Sequence, residues 1–457
     1  MTESQHANLD AAVHAAMERW SVPGVTVGIL RNGDVERRAY GVTSLETEQP
    51  VTPDTLFQIG SISKVFTATL AMMLVDDGKL DLDTPVSTYL PDLELADAEA
   101  LRTITLRHLF SHTSGLDGDR FTDYGLGDDA LVKAIAEFNT LRQLTRPGEL
   151  WTYCNSGFYL AGRVIEQVTG GVFEQVMRER VFEPLGLERT FLFAHEAIVY
   201  PVAVGHTPKE PGATEHEVAR RYPLPRCVNA AGGIISTVGD LLKFAGFHLA
   251  GGTVDGKQLL SGKSAAAMQQ PQTVAGNFAE HYGIGWALHT VAGEPVVGHG
   301  GSTNGFQAQL QLVPTRDYAL AVLTNSGRGA AAYREIVDWA LAHDLGLEQV
   351  EPAPVSLSPD QLAWFAGRYH QPNADVTISV QGDALRADIV SRAALSDGPR
   401  ETALPPISMA PIGERAFVVT GGEQQGSRVE FIPAASGAPR FIRYGGRLAE
   451  YQAAESA

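Results

Sequence analysis

The chain has 457 residues, of which 44% are hydrophobic and 19% are charged, and its formal net charge is −18. This hydrophobic fraction can fill large buried cores, so the length predicts two or three domains. The acidic balance disfavours nucleic-acid and membrane-surface binding, because both partners are themselves negatively charged. The first ten residues show no basic segment followed by an apolar run, and no stretch approaches the roughly 18 apolar residues of a spanning helix. We therefore expect a cytoplasmic protein.

The beginning of the chain predicts a helix followed by a β-hairpin. Apolar residues repeat at helical spacing over residues 9–20. Two strands, 25–30 and 35–40, flank the turn sequence Asn32-Gly33. A second helix opens at Ser61, where apolar residues again recur at helical spacing.

The middle of the chain is rich in predicted helix, and strands return after residue 281. Residues 80–200 are helix-rich with turns between the helices, and residues 232–250 predict a further helix. A last helix is predicted over residues 329–344. Four strands precede it, at residues 282–288, 295–301, 306–313 and 318–324. The simplest closure pairs them with the first hairpin in one antiparallel sheet flanked by helices, an α/β (α+β) domain over residues 1–346.

The composition changes after residue 346. Residues 347–360 are rich in proline and acidic residues, which predicts a linker. Residues 361–457 predict a small all-β domain, either a barrel or a sandwich, because short alternating runs follow one another at close spacing. The predicted strands are residues 365–369, 376–381, 384–389, 416–420, 428–432 and 440–444.

Ser61 and Lys64 form the first chemical motif, Ser61-Ile62-Ser63-Lys64. Positions i and i+3 share one face of a helix, so the two side chains can meet. A serine hydroxyl is a weak nucleophile until a base takes its proton, and a buried lysine can be that base. The same pattern also arises from a serine that caps a helix beside a solvated lysine.

Tyr153-Cys154-Asn155 is the second motif. In extended backbone, residues i and i+2 point to the same side, so the phenol and the amide can face one cleft. The phenol can carry a proton and the amide can hold a carbonyl group or orient a lysine. The alternative is a helix that simply starts at Asn155.

The third motif is His299-Gly300-Gly301-Ser302. Consecutive glycines weaken a strand unless another group approaches its backbone closely. A substrate backbone would be such a group, and the Ser302 N–H could then join that of Ser61 in an oxyanion hole. The alternative for His299 is an ordinary core or surface histidine, and the alternative for the glycines is a β-bulge.

Together, in this order, the three motifs resemble those of the penicillin-recognising serine enzymes, which include serine β-lactamases, DD-peptidases and their esterase relatives. The Tyr-x-Asn form is similar to the class C and DD-peptidase-like branch. The resemblance covers roughly residues 8–345. It also includes the segments Phe57-Gln58-Ile59-Gly60, His108 to Leu116, Pro147-Gly148, Ala231-Gly232-Gly233, and Ser236-Thr237 with Asp240.

The resemblance implies a sheet with helices on both sides, an all-helical subdomain and a site in the cleft between them. It implies that Ser61 is the acylated nucleophile, that Lys64 helps to deprotonate it and that Tyr153 is the general base and acid. Lys64 and Tyr153 are expected to titrate as a coupled pair. Asn155 would contact the substrate amide and the lysine, and His299 would supply electrostatic and hydrogen-bonding contacts opposite Tyr153.

The resemblance further implies that Gly300, Gly301 and Ser302 line the substrate-binding strand, with the Ser302 N–H in the oxyanion hole. The third motif departs from the family pattern, since His299 stands where a lysine is usual and Gly300 where a threonine is usual. Histidine is mostly neutral at pH 7, which favours esters, amides or peptides over β-lactam substrates that carry a carboxylate. The segment after the linker resembles the lipocalin-like β-domain of some family members, which shapes access to the cleft or only stabilises the protein.

We therefore predict a serine hydrolase that is acylated on Ser61 by esters, amides or short peptides, including peptides with D-amino acids. The alternatives are an acyl transferase of the thioesterase or peptide-cyclase type, a β-lactamase, and a non-catalytic binding or scaffolding relative. We expect a small-molecule or peptide partner and no cofactor. His108 and His112 are spaced to chelate a metal on a helix, but a turn follows at Thr113-Ser114-Gly115, so we expect no metal site.

Overall fold

A β-hairpin near the start of the chain begins the large sheet, as its two strand-like runs predict. Asn32 and Gly33 adopt positive φ angles of 49° and 84°, as a tight two-residue turn needs. The computed structural model describes residues 3–276, 278–392 and 401–453. The strands of the first 346 residues are β1 Gly24–Arg31, β2 Asp34–Gly41, β3 Phe57–Gln58, β4 His206–Pro208, β5 His216–Val218, β6 Ile235–Ser236, β7 Thr253–Val254, β8 Lys257–Gln258, β9 Thr273–Val274, β10 His281–Tyr282, β11 Ala287–Val291, β12 Glu294–Thr303, β13 Phe306–Val313 and β14 Tyr318–Thr324.

Helices cover both faces of this sheet and fill the middle of the chain. The α-helices are α1 Glu3–Trp20, α2 Ser63–Asp76, α3 Val86–Tyr89, α4 Ala98–Thr103, α5 Leu106–Phe110, α6 Ala130–Ile135, α7 Asn155–Thr169, α8 Phe173–Met177, α9 Ala194–Ala197, α10 Asn229–Gly232, α11 Val238–Leu249, α12 Gly262–Met268, α13 Gly329–Leu345 and α14 Pro359–Ala363. Short 3-10 turns lie at Gly60–Ile62, Phe138–Thr140, Arg226–Val228 and Pro314–Arg316, and a π-helical turn lies at Arg178–Phe182.

The large sheet is antiparallel and has the strand order β2-β1-β14-β13-β12-β11-β10-β9. Alternate residues of β1 point to opposite faces. Val27 packs with Val13 of α1 and Ile336 of α13 in one core. On the other face, a β-carbon built on Gly28 would lie only 3.0 Å from Val238 Cβ, so the glycine lets α11 pack closely. The predicted α/β sheet with helices on both sides is confirmed.

Most predicted elements of the sheet are present, but two boundaries were wrong. The predicted strand 282–288 is split, because the chain turns between β10 and β11, where Gly285 has a φ of 79°. The predicted helix 232–250 starts only at Val238, since β6 pairs with β3 and Thr237 caps the helix by accepting a hydrogen bond from Asp240 N at 3.2 Å. Short paired segments of this kind leave little trace in hydrophobic periodicity.

The end of the chain forms a closed eight-stranded β-barrel, which confirms the predicted all-β fold. Closure comes from β16, which pairs with both β15 and β17, while β18 is attached to β17. All six predicted strands are found, whereas β18, β19 and β23 were missed. The barrel strands are β15 Gly367–Gln371, β16 Ala374–Gln381, β17 Ala384–Ser391, β18 Thr402–Ala403, β19 Ile407–Pro411, β20 Ala416–Val419, β21 Arg428–Pro433, β22 Pro439–Tyr444 and β23 Arg447–Gln452.

The segment between the two folded parts is residues 347–358, which contain no helix or strand. Apolar side chains of α14 and of the barrel strands fill the barrel interior, among them Leu362, Phe417 and Phe431. In the part of the chain that the structure describes, no helix combines the length and apolar character needed to cross a membrane.

Candidate active site

Ser61 lies in the 3-10 turn that leads into α2, two residues before the α-helix itself begins. Gly60 precedes it with a φ of 52°, a conformation that side-chain-bearing residues rarely adopt. The Ser63 hydroxyl fixes the turn by donating to Gly60 O at 2.7 Å and accepting from Ile234 N at 3.1 Å. The nucleophile predicted from the sequence is thus held on a rigid corner.

Lys64 is fully buried and directed at Ser61. Its Nζ lies 3.0 Å from Ser61 Oγ and 2.6 Å from each of two carbonyl oxygens, Asn155 Oδ1 and Ala231 O. Burial lowers the pKa of the Lys64 ammonium well below its ordinary value; nearby Asp119 opposes the shift and Arg447 adds to it. Desolvation therefore favours a neutral amine beside the serine hydroxyl.

Tyr153 and Asn155 come to the same cleft because the chain is extended up to Cys154 and becomes helical at Asn155. Cys154 caps α7, with its sulfur accepting from Gly157 N at 3.4 Å. Lys64 Nζ lies 4.9 Å from the centre of the Tyr153 ring. The Tyr153 hydroxyl is buried and makes no hydrogen bond of normal geometry, yet Ser61 is near enough to favour its ionised form. Burial has the larger effect and raises the Tyr153 pKa.

His299 lies on β12 beside Tyr153, with 6.3 Å between the ring centres. Both of its ring nitrogens have protein partners: Nε2 pairs with the Tyr282 hydroxyl at 2.8 Å and Nδ1 with Gly300 O at 2.5 Å. Burial, followed by the charge of Lys64, lowers the His299 pKa to about 3. The residue is therefore a neutral hydrogen-bonding group and carries no charge at pH 7.

Gly300, Gly301 and Ser302 occupy a stretch of β12 with only one partner strand. The pairing with β11 ends at Gly298, whereas the pairing with β13 continues to Thr303. A β-carbon built on Gly301 would lie 1.9 Å from the carbonyl oxygen of Ile59, so the glycine is needed for the approach of the Ser61 turn.

The backbone nitrogens of Ser61 and Ser302 lie where the Ser61 turn meets β12. A β-carbon built on Gly60 would lie 2.6 Å from Ser302 N, and one on Gly301 would lie 3.2 Å from Ser61 N. These contacts bring the two N–H groups named for the oxyanion hole close together.

Three polar residues of the site were not assigned to it from the sequence. His112, which the sequence offered as half of a metal pair and as part of a segment similar to the family, has a positive φ of 56°. It accepts from Cys154 N at 3.1 Å and lies against Tyr153 with 4.2 Å between ring centres. Asp119 pairs with Arg447 of β23, whose guanidinium lies 5.0 Å from the Tyr153 ring centre. No local pattern marks Asp119 or Arg447, because only the tertiary fold brings them together.

The two histidines that the sequence spaces for metal chelation have separate protein partners. His108 Nδ1 contacts Thr105 in the cap of α5, whereas His112 faces Cys154. Within residues 3–276, 278–392 and 401–453, no group of three potential metal ligands is found.

Comparison with known proteins identifies the family. The β-lactamase family matches residues 9–343. Penicillin-binding protein 4 of Amycolatopsis lactamdurans is 35% identical over 381 residues, which cover 80% of this chain and 98% of that protein. D-aminopeptidase of Brucella canis is 25% identical over 82% of this chain and 68% of its own length. A solved structure of SurE with D-Leu covers 99% of this chain and 100% of that chain, with a TM-score of 0.76 and 26% identity. The chain belongs to the β-lactamase family, among the serine hydrolases that are similar to penicillin-binding proteins.

Proposed function

We propose that the protein is a serine acyl hydrolase that forms an acyl-enzyme on Ser61 and cleaves esters, amides or short peptides, including peptides with D-residues. The observation that carries this proposal is the Lys64 Nζ, buried and 3.0 Å from Ser61 Oγ. A neutral amine has two N–H groups and one lone pair. With the N–H groups donated to Asn155 Oδ1 and Ala231 O, the lone pair is left for the proton of Ser61.

Acylation then proceeds by balanced proton transfers. Lys64 accepts the Ser61 proton as Oγ attacks the substrate carbonyl, and the N–H groups of Ser61 and Ser302 stabilise the oxyanion. As the tetrahedral intermediate collapses, the Tyr153 hydroxyl donates a proton to the leaving oxygen or nitrogen and recovers one from the Lys64 ammonium. The raised Tyr153 pKa suits this role, because the phenol remains protonated at neutral pH.

Deacylation reverses these transfers with water as the nucleophile. Water gives a proton to the lysine–tyrosine pair as it attacks the acyl carbonyl, and Ser61 Oγ leaves with a proton. The same oxyanion hole serves both steps.

The neutral His299 favours substrates that need no cation at that position. A β-lactam carboxylate would meet an uncharged imidazole there, so we assign β-lactam turnover to a side activity. The names of two relatives, a D-aminopeptidase and SurE bound to D-Leu, support D-configured substrates.

Acyl transfer to an amine is a second candidate function, favoured by a cavity beside the site. The cavity has a volume of about 210 Å³ and is lined by barrel residues, among them Ala374, Ile389 and Arg447. Arg447 links it to the site, because its guanidinium lies 5.0 Å from the centre of the Tyr153 ring. An amine nucleophile held there would compete with water for the acyl-enzyme. Product analysis with an added D-amino acid separates the two outcomes, since transfer gives a new amide and hydrolysis gives only the acid.

The test of the proposed function is Ser61→Ala with a panel of p-nitrophenyl esters, D- and L-amino-acid amides and β-lactams. We expect turnover to fall to background and a fluorophosphonate adduct to be lost from Ser61, as seen by mass spectrometry. Ser156→Ala is the matched control, because it removes a buried hydroxyl of α7 that has no hydrogen-bond partner. Unchanged turnover in Ser61→Ala would contradict the assignment of Ser61 as the nucleophile. A wild-type protein that no acylating reagent modifies would favour the non-catalytic alternative.

A further inference from the structure

The orientation of the Asn155 amide controls where the lone pair of Lys64 points. Asn155 Oδ1 accepts from Lys64 Nζ at 2.6 Å, and the amide is almost fully buried. If the amide were rotated by half a turn, its NH₂ group would face the amine and attract the lone pair that Ser61 needs. Catalysis therefore requires that this amide keep one of its two orientations.

Asp119 is the residue that holds Asn155 in the required orientation. Its Oδ1 accepts a hydrogen bond from Asn155 Nδ2 at 2.6 Å. An ionised carboxylate can only accept, so it demands the NH₂ end of the amide. The Asp119 side chain is only 6% exposed, and water therefore competes weakly for this bond.

The β-barrel holds Asp119 in turn. The other carboxylate oxygen, Oδ2, accepts from Arg447 Nε of β23 and from Asn373 Nδ2 at 3.0 Å. Asp119 and Arg447 also act in opposite directions on the pKa of Lys64, so their effects oppose each other as long as both members are present. The barrel thus completes a chain of contacts that ends at the nucleophile.

We propose that Asp119 is a positioning residue that, clamped by Arg447 and Asn373 of the barrel, fixes the Asn155 amide and thereby directs Lys64 at Ser61. The inference rests on the proposed function, since it specifies how the barrel supports Ser61 acylation. It assigns the barrel a part in catalysis that does not require the barrel to touch substrate.

Asp119→Asn is the direct test, because it keeps the shape of the side chain but can present either an oxygen or an NH₂ group to Asn155. We expect the acylation rate of Ser61 to fall by about 10- to 100-fold, as small misplacements of reacting groups do, while KM changes little. With Arg447 left uncompensated, the acid limb of the pH profile moves to lower pH. Asp117→Asn is the matched control, since it neutralises a neighbouring buried carboxyl, and we expect near-wild-type acylation.

The double variant Asp119→Asn/Arg447→Gln distinguishes the effect of lost positioning from the effect of changed charge. It also provides a second test if the single variant folds poorly. Both charges are removed, so the acid limb should return towards its wild-type pH while the plateau rate stays low. A plateau restored to the wild-type value, or an Asp119→Asn single variant that acylates as fast as Asp117→Asn, would overturn the proposal.

Titration of the Lys64 side chain by NMR gives a readout that needs no turnover. We expect its pKa to fall in Asp119→Asn and to recover in the double variant, so that the low plateau rate of the double variant reports positioning alone. A pKa that stays low in the double variant would attribute the slow acylation to charge and contradict the proposal. Absence of any adduct on Ser61 in the wild-type protein would instead count against the proposed function, and the NMR comparison would still test Asp119.

Discussion

Lys64 and Tyr153 owe their different roles to the same physical cause, which is burial. Removal from water disfavours the charged form of each group, so the lysine pKa falls and the tyrosine pKa rises. Burial therefore favours an unprotonated amine next to a protonated phenol. In the proposed function, this opposed pair favours Lys64 as the base of the acylation step and Tyr153 as its acid.

The pH dependence of acylation should report the Lys64 pKa. Only the neutral amine is a base, so kcat/KM is expected to be high above this pKa and to fall as the pH drops through it, well below the usual range of a lysine. Tyr153→Phe should reduce the rate by about 10²-fold or more and keep this acid limb, because it removes the acid and leaves the base. Lys64→Met should remove the limb together with the activity.

The measurement is the pH profile of kcat/KM for an ester with a good leaving group, in the wild type and both variants. Tyr153→Phe should harm an amide substrate more than this ester, since only the amide needs a protonated leaving group. An acid limb that disappears in Tyr153→Phe would contradict the assignment of Lys64 as the base.

The adjacency of Ser61, Lys64, Tyr153 and Asn155 could be predicted because each motif is local and their order is informative. Asp119 and Arg447 could not be predicted in the same way. They are 328 residues apart in sequence and meet only after the barrel has docked against the loop before α7. A pairing of this kind leaves no periodicity and no spacing that one sequence can reveal.

At the scale of elements, the site depends on how closely β12 approaches the turn before α2. The sequence suggested that the glycines of β12 make room for substrate backbone. The structure gives Gly301 a different neighbour, the carbonyl oxygen of Ile59, at a distance that no β-carbon could share. Gly301 thus makes room for the turn that carries Ser61 beside the proposed oxyanion hole.

Gly301→Ala should therefore impair the enzyme more than Gly300→Ala. A methyl group on Gly301 would meet backbone at 1.9 Å, whereas one on Gly300 would meet at 3.1 Å only the end of the Gln309 side chain, which can move. We expect Gly301→Ala to lower the acylation rate by on the order of 10²-fold, because the Ser61 turn must shift. Burst kinetics with a p-nitrophenyl ester measure the rate, and thermal unfolding checks the fold. Equal rates in the two variants would show that the close approach is unimportant.

The turn between β22 and β23 is the element by which the barrel reaches the site. Gly446 O accepts from Tyr153 N at 2.9 Å, and Leu448 N donates to Thr152 Oγ1 at 3.2 Å. These bonds continue the backbone pairing of the barrel into the segment that carries the second motif. The barrel is therefore part of the wall of the site, which the sequence left as one of two possibilities.

At the scale of the whole molecule, the sequence predicted both architectures, and the errors lie at short elements. Long amphipathic helices and alternating strands bury enough apolar area to leave a clear pattern. The missed barrel strands β19 and β23 contain proline or several charged residues, and tertiary pairing determines them. The boundaries at residues 346 and 361 remain predictions. The contacts between the barrel and the residues of the proposed site could not be predicted, because they also depend on tertiary packing.

Buried neutral histidines should make the whole molecule sensitive to acid. His248 is packed in the core against Thr69, and burial lowers its pKa from an ordinary 6.5 to about 3, as it does for His299. At pH values between about 3 and 6.5, each of these histidines binds a proton in the unfolded chain but not in the folded protein. Stability is therefore fully present above pH 6.5 and declines as the pH falls towards 3, at about 1.4 kcal/mol per pH unit for each such histidine.

His248→Gln isolates one of these protons, because residue 248 lies in the α11 core and contacts no residue of the proposed site. The variant should lose about 1.4 kcal/mol per pH unit from the slope of unfolding free energy against pH between 6 and 4. Burial raises the pKa values of Asp117 and Asp338 to about 6. These carboxyl groups change the slope of unfolding free energy against pH in the opposite direction, but by the same amount in both proteins. Urea denaturation at several pH values measures the slope, and turnover at pH 7 should be unchanged. Parallel slopes in the two proteins would mean that His248 is protonated in the folded state or shielded in the unfolded one.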